Sequence, residues 1–139
     1  MLNLRFKWVV LSSFFYVAYA VPKAEYMLRH PEKYTDRQKY DFACRIIKHM
    51  KKQARTTTDV YGLDNLPKEN GYILYGNHQG KYDALGILLS LDEPCGVLWE
   101  KRQADRFLAH QVCGLVDGVA IDLTDMRAKV KAIKDVTSR

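Results

Sequence analysis

"YILYGNHQGKYDALGILLSL" (72–91) is the stretch on which the fold reading turns. Residues 72–75 form a short apolar run suited to a strand, and 84–91 form an apolar run suited to a buried helix. Between them lies a polar loop with two glycines, Gly76 and Gly80, that make a bend easy. Strand, glycine loop and helix in that order make the repeating unit of an α/β fold. In such sheets ligands sit at the carboxyl ends of strands, where this loop places Asn77, His78, Lys81 and Asp83.

Working outward, the same alternation continues. "CGVLW" (95–99) predicts a second buried strand, and "KRQADRFLAHQVCG" (101–114) an amphipathic helix with Gly114 as its stop. "GVAID" (118–122) reads as a third short strand, and 126–139 as a helix with Lys129, Lys131 and Lys134 outward. Upstream, "TTTDVYGLDNLP" (56–67) alternates and carries β-branched residues, which predicts a strand running into a turn at 64–67. The expectation for 56–139 is therefore a layered α/β domain, with a largely parallel sheet flanked by helices.

Residues 24–55 read differently. "HPEKY" (30–34) is a linker; Thr35 then opens a helix, with Gln38 three residues on as capping-box partner. Tyr40, Ala43, Ile46, Ile47 and Met50 recur at helical spacing, giving one apolar face. The opposite face is cationic. From Arg29 to Arg55 there are nine Lys or Arg against three acids, 9 − 3 = +6, equal to the net charge of the 139-residue chain. Such a surface attracts polyanions or an anionic membrane leaflet, or is simply a solvated helix face. Nucleic acid is not favoured, because no aromatic–basic interleaving, zinc finger or RNA-binding signature accompanies the charge.

The first segment (1–23) has Arg5 and Lys7, then an apolar stretch from Trp8 to Val21 ended by Pro22 and Lys23. Fourteen helical residues cover about 21 Å, short of the roughly 30 Å hydrocarbon core. Three readings fit: an interfacial helix with Trp8, Tyr16 and Tyr19 at headgroup depth, a secretory signal with Ala18-Tyr19-Ala20 as its cleavage site, or a buried helix. The basic block downstream favours the first, with the domain on the cytoplasmic face of the membrane. Cys44, Cys95 and Cys113 are odd in number and lack CxxC spacing, so neither a disulfide framework nor a zinc site follows from them.

His78 and Asp83 would point about 140° apart on one helix, so they meet only if the chain turns between them. In that arrangement the carboxylate would fix the imidazole tautomer and leave the other nitrogen as a general base. The alternative is a loop histidine bonded to a nearby carbonyl. A metal site is not favoured: there is no HExxH and no second His or Cys at ligand spacing.

"GLDNLPKENGYILYGNHQGKYDALGILLSL" (62–91) resembles the 1-acylglycerol-3-phosphate acyltransferase (lysophosphatidic acid acyltransferase) family. Gly62, Asp64, Asn65, Leu66, Pro67, Asn77, His78 and Asp83 stand in register with its turn and its Asn-His-x4-Asp block. "CGLVDGVAIDLTDMRAKVKAIKD" (113–135) is similar to its second block. The resemblance implies that His78 deprotonates the hydroxyl of a lysophospholipid acceptor, which attacks the thioester of acyl-CoA or an acyl carrier protein. Asp83 would orient the imidazole; Asn77, Gly80, Lys81 and Arg127 would serve substrate binding, and no metal or other cofactor is implied. No acyl-enzyme is required, in keeping with the absence of a G-x-S-x-G elbow.

Two departures stand out. Leu123 occupies the position after Ile-Asp where the family usually has Arg, leaving Arg127 as the nearest guanidinium. The family's Glu-Gly-Thr block is absent before Arg139, so the expectation is the N-terminal portion of a longer enzyme. The competing expectation is an inactive membrane- or partner-binding module built on the basic helix and the first segment.

Overall fold

The computed structural model describes residues 8–9, 11–69, 71–77, 80 and 82–137. Its elements in chain order are α1 (Phe14–Arg29), a 3-10 turn (Pro31–Lys33), α2 (Asp36–Gln53), a 3-10 turn (Leu63–Asn65) and α3 (Asp83–Ser90). They are followed by β1 (Leu98–Glu100), α4 (Lys101–Ala104), α5 (Ala109–Leu115), β2 (Val119–Ile121) and α6 (Met126–Thr137). The chain is thus mixed but mostly helical. Its sheet has two strands, β1 and β2, which run parallel with Trp99 opposite Ala120.

The capping box at the start of α2 forms as the sequence predicts. Thr35 Oγ1 accepts from the Gln38 N–H at 3.2 Å, and Gln38 Oε1 accepts from the Thr35 N–H at 2.9 Å. Each side chain satisfies a backbone donor that the first turn leaves open. From this start Tyr40, Ala43, Ile46 and Ile47 face inward with Phe42, while Arg45 and Lys48 stay exposed. The inward stripe joins Ala20, Ala24 and Met27 of α1, Leu88 of α3, and Val112 and Leu115 of α5 in one core. Small residues set the helix spacing. A Cβ on Gly114 would lie 2.9 Å from Leu28 Cδ1, so any larger residue there would make the Leu28 side chain move aside. Gly114 is therefore a contact inside α5, not the helix stop that its position suggests.

Tyr40 also makes the principal polar contact of the core. Its hydroxyl donates to the Leu88 carbonyl at 2.9 Å and lies 3.6 Å from Cys95 Sγ. Leu88 is in the last turn of α3, where carbonyls lack intrahelical donors, and the phenol supplies one. Burial, and then the Cys95 contact, push the phenol pKa upward, so the hydroxyl keeps its proton. Arg37 Nη1 reinforces the same end of α3 by donating to the Asp92 carbonyl at 2.9 Å. All three cysteines are free thiols, and burial raises each of their pKa values, that of Cys113 to about 11.

Four expectations need correction. Pro22 does not end the first helix: α1 runs through it to Arg29, forgoing only the bond its nitrogen would have given to the Ala18 carbonyl. Residues 56–62 and 72–75 form neither helix nor ladder. Tyr72, Ile73, Leu74 and Tyr75 are 37%, 46%, 43% and 91% exposed, so neither face of that run is covered. Strand formation depends on a partner and a buried face more than on β-branched or aromatic content. The helix expected over 101–114 is broken into α4 and α5, because Leu108 takes φ +68° as its side chain packs against the core. The sheet is parallel, as expected, but two strands wide among the described residues. Among the described residues no helix is long and apolar enough to cross a membrane.

Where α1 meets α2, His49 stacks on Tyr16 with ring centroids 3.9 Å apart, and its Nε2 is buried without a partner. Desolvation, and secondarily Lys52, lower the imidazole pKa below its ordinary 6.5. The unfolded chain then takes up the proton first as pH falls, so this histidine removes stability below about 6.5 and is neutral above it. His49→Phe, which keeps the stack and cannot titrate, should flatten the drop in thermal midpoint between pH 6.5 and the folded pKa. Tyr40→Phe should cost about 1 kcal/mol in urea unfolding, because the Leu88 carbonyl loses its phenol donor and keeps the weak Cys44 Sγ donor at 3.9 Å.

Candidate functional site

The site begins with the turn that carries "GLDNLP". Gly62 sits at φ +75°, a left-handed conformation that side chains rarely adopt. From there the Leu63–Asn65 turn closes on itself: Asn65 N and Nδ2 donate to the Gly62 carbonyl at 3.0 and 3.2 Å. Leu66 then swings to an extended conformation, as the residue before proline must. The pattern Gly-x-Asp-Asn-Leu-Pro thus has a local structural reason, in which Gly62 and Asn65 are the working members.

The chain returns along 71–77. Gly76 runs beside α3, where a Cβ would meet Ile87 Cδ1 at 3.6 Å. A second tie comes from the segment before the turn, where Thr58 Oγ1 and Tyr82 Oη lie 3.0 Å apart. No spacing rule foretold that bond. The two segments flanking the turn therefore lie against Tyr82, just before α3, and Ile87 within it.

At the head of α3, Asp83 and Gly80 bond reciprocally. The Asp83 carboxylate accepts from the Gly80 N–H at 2.7 Å, and the Asp83 N–H donates to the Gly80 carbonyl at 3.3 Å. The N-cap of α3 is Tyr82, which makes no side-chain cap bond, so this pair closes a turn just ahead of the helix. The negative charge also lies where the helix dipole is favourable to it. The bend expected between the loop and the helix is present, and Asp83 is on the first helical turn. Asn77 is exposed, Gly80 and Asp83 are half-buried. His78 and Lys81 lie outside the described residues, so the pairing of His78 with Asp83 remains an expectation of the sequence.

Arg127 stands apart from this group. It belongs to α6, which packs on β2, whereas α3 packs on α2. Its side chain is exposed, and its backbone N–H donates to Asp125 Oδ1 at 2.8 Å. Among the described residues no hydrogen bond or ion pair joins it to Asn77, Gly80 or Asp83. The Ile-Asp of the second block turns the chain: Asp122 Oδ1 accepts from the N–H and hydroxyl of Thr124 at 2.8 and 2.6 Å. Those bonds hold the Asp122 carboxyl below its ordinary pKa. Among the described residues no three His, Cys, Asp or Glu side chains are grouped to hold a metal ion.

Compared with known protein families, with curated proteins and with solved structures, the chain matches none. The chemistry the arrangement offers therefore rests on the residues themselves. A carboxylate fixed at a helix start, beside a glycine bend and an exposed amide, can orient a neighbouring imidazole or hydrogen-bond donor.

Two substitutions test this construction. Gly62→Ala should lose about 1 kcal/mol through its left-handed φ. Asp83→Ala should lose about 1 kcal/mol by removing the acceptor of the Gly80 N–H. Both are read as shifts of the denaturation midpoint at unchanged slope.

Proposed function

We propose that the protein is a membrane-associated acyltransferase. It moves a fatty acyl group from a thioester donor, acyl-CoA or an acyl carrier protein, to the free hydroxyl of a lysophospholipid such as 1-acylglycerol-3-phosphate. The observation that carries the proposal is the Asp83 carboxylate, held by the Gly80 N–H at 2.7 Å where the polar loop enters α3. A base in that loop would find its orienting carboxylate already positioned, at little entropic cost. In this reading His78 takes the acceptor proton, and the resulting oxygen attacks the thioester carbonyl. The proton passes to the departing thiolate, so no covalent enzyme intermediate forms. Asn77, Gly80 and Lys81 are assigned to substrate binding, with Lys81 against the acceptor phosphate. The parallel β1–β2 pair supports a layered sheet, to which 72–75 would add a strand.

An acceptor that resides in a bilayer calls for a membrane-facing surface, and α1 offers one. Phe14, Phe15 and Tyr19 are 61%, 87% and 60% exposed, and Trp8 and Leu11 just before them are 56% and 72% exposed. At about 100° per residue, Phe15 and Tyr19 centre roughly 125° around the helix from the buried Ala20, Ala24 and Met27. The aromatic residues therefore lie on the solvent side of α1, where they can enter an interface. The cations of α2 would meet anionic headgroups on the cytoplasmic face.

The same aromatic stripe also favours the second reading, a membrane-binding module without turnover. An assay of lysophosphatidate acylation separates the two. The enzyme reading expects product from the wild-type chain and a loss of at least about 100-fold in His78→Ala, with vesicle binding intact. Equal product from wild type and His78→Ala would discard it. Vesicle binding with no product from either would leave the module reading.

A further inference from the structure

We infer that Lys23, Tyr26, Lys33 and Tyr34 form a binding site for a phosphomonoester, supplied by the headgroup of a phosphatidate-type lipid. Two ammonium–phenol pairs make the site. Lys23 Nζ donates to Tyr34 Oη at 2.8 Å, and Lys33 Nζ donates to Tyr26 Oη at 3.0 Å. Ring contacts join the two pairs. Tyr26 and Tyr34 meet edge to face with centroids 6.3 Å apart, and the Tyr26 centroid lies 5.7 Å from Lys23 Nζ and 5.3 Å from Lys33 Nζ. The cluster opens to solvent: Tyr26 and Lys33 are exposed, Lys23 and Tyr34 half-buried.

Donors and charges select the ligand. A phenol that accepts from an ammonium keeps its own O–H to donate, and an ammonium that gives one N–H retains two more. Among the described residues neither lysine is in ion-pair contact with a carboxylate. The acids close by are engaged elsewhere: Glu25 with Arg29 and Gln111, and Glu32 with His30, although Glu32 still acts on Lys33 through space. The bonds to the phenols raise the pKa of both ammonium groups, so both cations persist at neutral pH. Two cations beside two hydroxyl donors match a tetrahedral oxyanion with a charge of about −2, which is a phosphomonoester and not a phosphodiester or a carboxylate. The ammonium groups also favour the second ionisation of such a phosphate.

Position in the fold selects the source of the phosphate. At about 100° per residue, Lys23 and Tyr26 centre roughly 30° around α1 from Phe15 and Tyr19, so they continue the same exposed side of the helix. A bilayer that meets Phe15 and Tyr19 therefore brings its headgroups to Lys23 and Tyr26, and Lys33 and Tyr34 join them from the turn after α1. The rings hold both ammonium groups beforehand, so little side-chain freedom is lost when the phosphate arrives. The site is separate from the polar loop, since α1 packs on α5 and α2 whereas Asp83 opens α3. The choice of a lipid source rests on α1 as the membrane-facing element and requires no acyl transfer.

The test is co-sedimentation of the full chain with phosphatidylcholine vesicles containing either diacyl phosphatidate, which has no hydroxyl to acylate, or phosphatidylglycerol at matched surface charge. The expected result is binding at least about tenfold tighter to the phosphatidate vesicles. Lys23→Gln combined with Lys33→Gln should remove that preference. Tyr26→Phe combined with Tyr34→Phe leaves the charges and the rings unchanged and should reduce it at least about threefold. Circular dichroism checks that both variants fold, and the wild-type comparison stands without them. Equal wild-type binding to the two vesicles, an equal loss on both in the lysine variant, or an undiminished preference in the phenol variant would overturn the site. Calorimetric binding of soluble glycerol 3-phosphate tighter than that of phosphatidate vesicles would assign the cluster to a free phosphate and overturn the lipid source. Failure here is distinct from failure of the acyl-transfer or membrane readings: a chain that binds both vesicles equally, with or without turnover, loses the phosphomonoester site alone.

Discussion

A phenol hydroxyl that reaches into the last turn of a neighbouring helix is the contact on which the candidate site depends. Tyr40 Oη donates to the Leu88 carbonyl at 2.9 Å, inside a core of Ala43, Ile46, Ile47 and Leu88. Short helices such as α3, eight residues long, do not hold themselves together in water. α3 persists because its carboxyl end is buried and hydrogen-bonded against α2, and because Arg37 clasps the Asp92 carbonyl just beyond it. With that end fixed, the amino end can only project toward the surface, about 12 Å away at 1.5 Å per residue.

That polarity gives the two ends of α3 different tasks. One end meets the core through an aliphatic side chain and a neutral phenol. The other is polar and half-exposed, where Asp83 binds back to Gly80 and Tyr82 bonds Thr58. A carboxylate there serves the helix start whether or not it also serves a substrate. The structural demand on Asp83 is compatible with the catalytic role proposed for it, because one carboxyl group can accept more than one hydrogen bond.

Much of this was legible in the residues, unevenly so. The α2 capping box, the inward stripe, the start of α3 and the placement of β1, β2 and α6 all follow from local signals: caps, period and short apolar runs. Contacts between distant segments were not legible. Nothing in the spacing of Tyr40 or Thr58 reveals a bond to Leu88 or Tyr82, since both are set by how helices and loops pack. The β-branched stretch within 56–67 and the apolar run at 72–75 misled because strand content shows only that a segment suits a sheet, not that a neighbour lies alongside. Gly114 misled for a related reason: a glycine that ends a helix and one that admits Leu28 look the same in sequence. For the site itself, the bend at Gly80–Asp83 was legible from the impossibility of a straight helix joining His78 to Asp83. Arg127 was drawn in as the guanidinium nearest to Leu123, and it lies on α6.

On the proposed reading, Asp83 supports the fold through hydrogen-bond acceptance and supports chemistry through its charge. Asp83→Asn separates the two, because the amide oxygen can still accept from the Gly80 N–H while the charge is gone. The decisive measurement is acyl transfer to lysophosphatidate by Asp83→Asn, made on the same sample as its thermal midpoint. The account predicts a midpoint close to wild type and product formation reduced by about 100-fold or more. A stable Asp83→Asn protein that transfers acyl groups at the wild-type rate would contradict it.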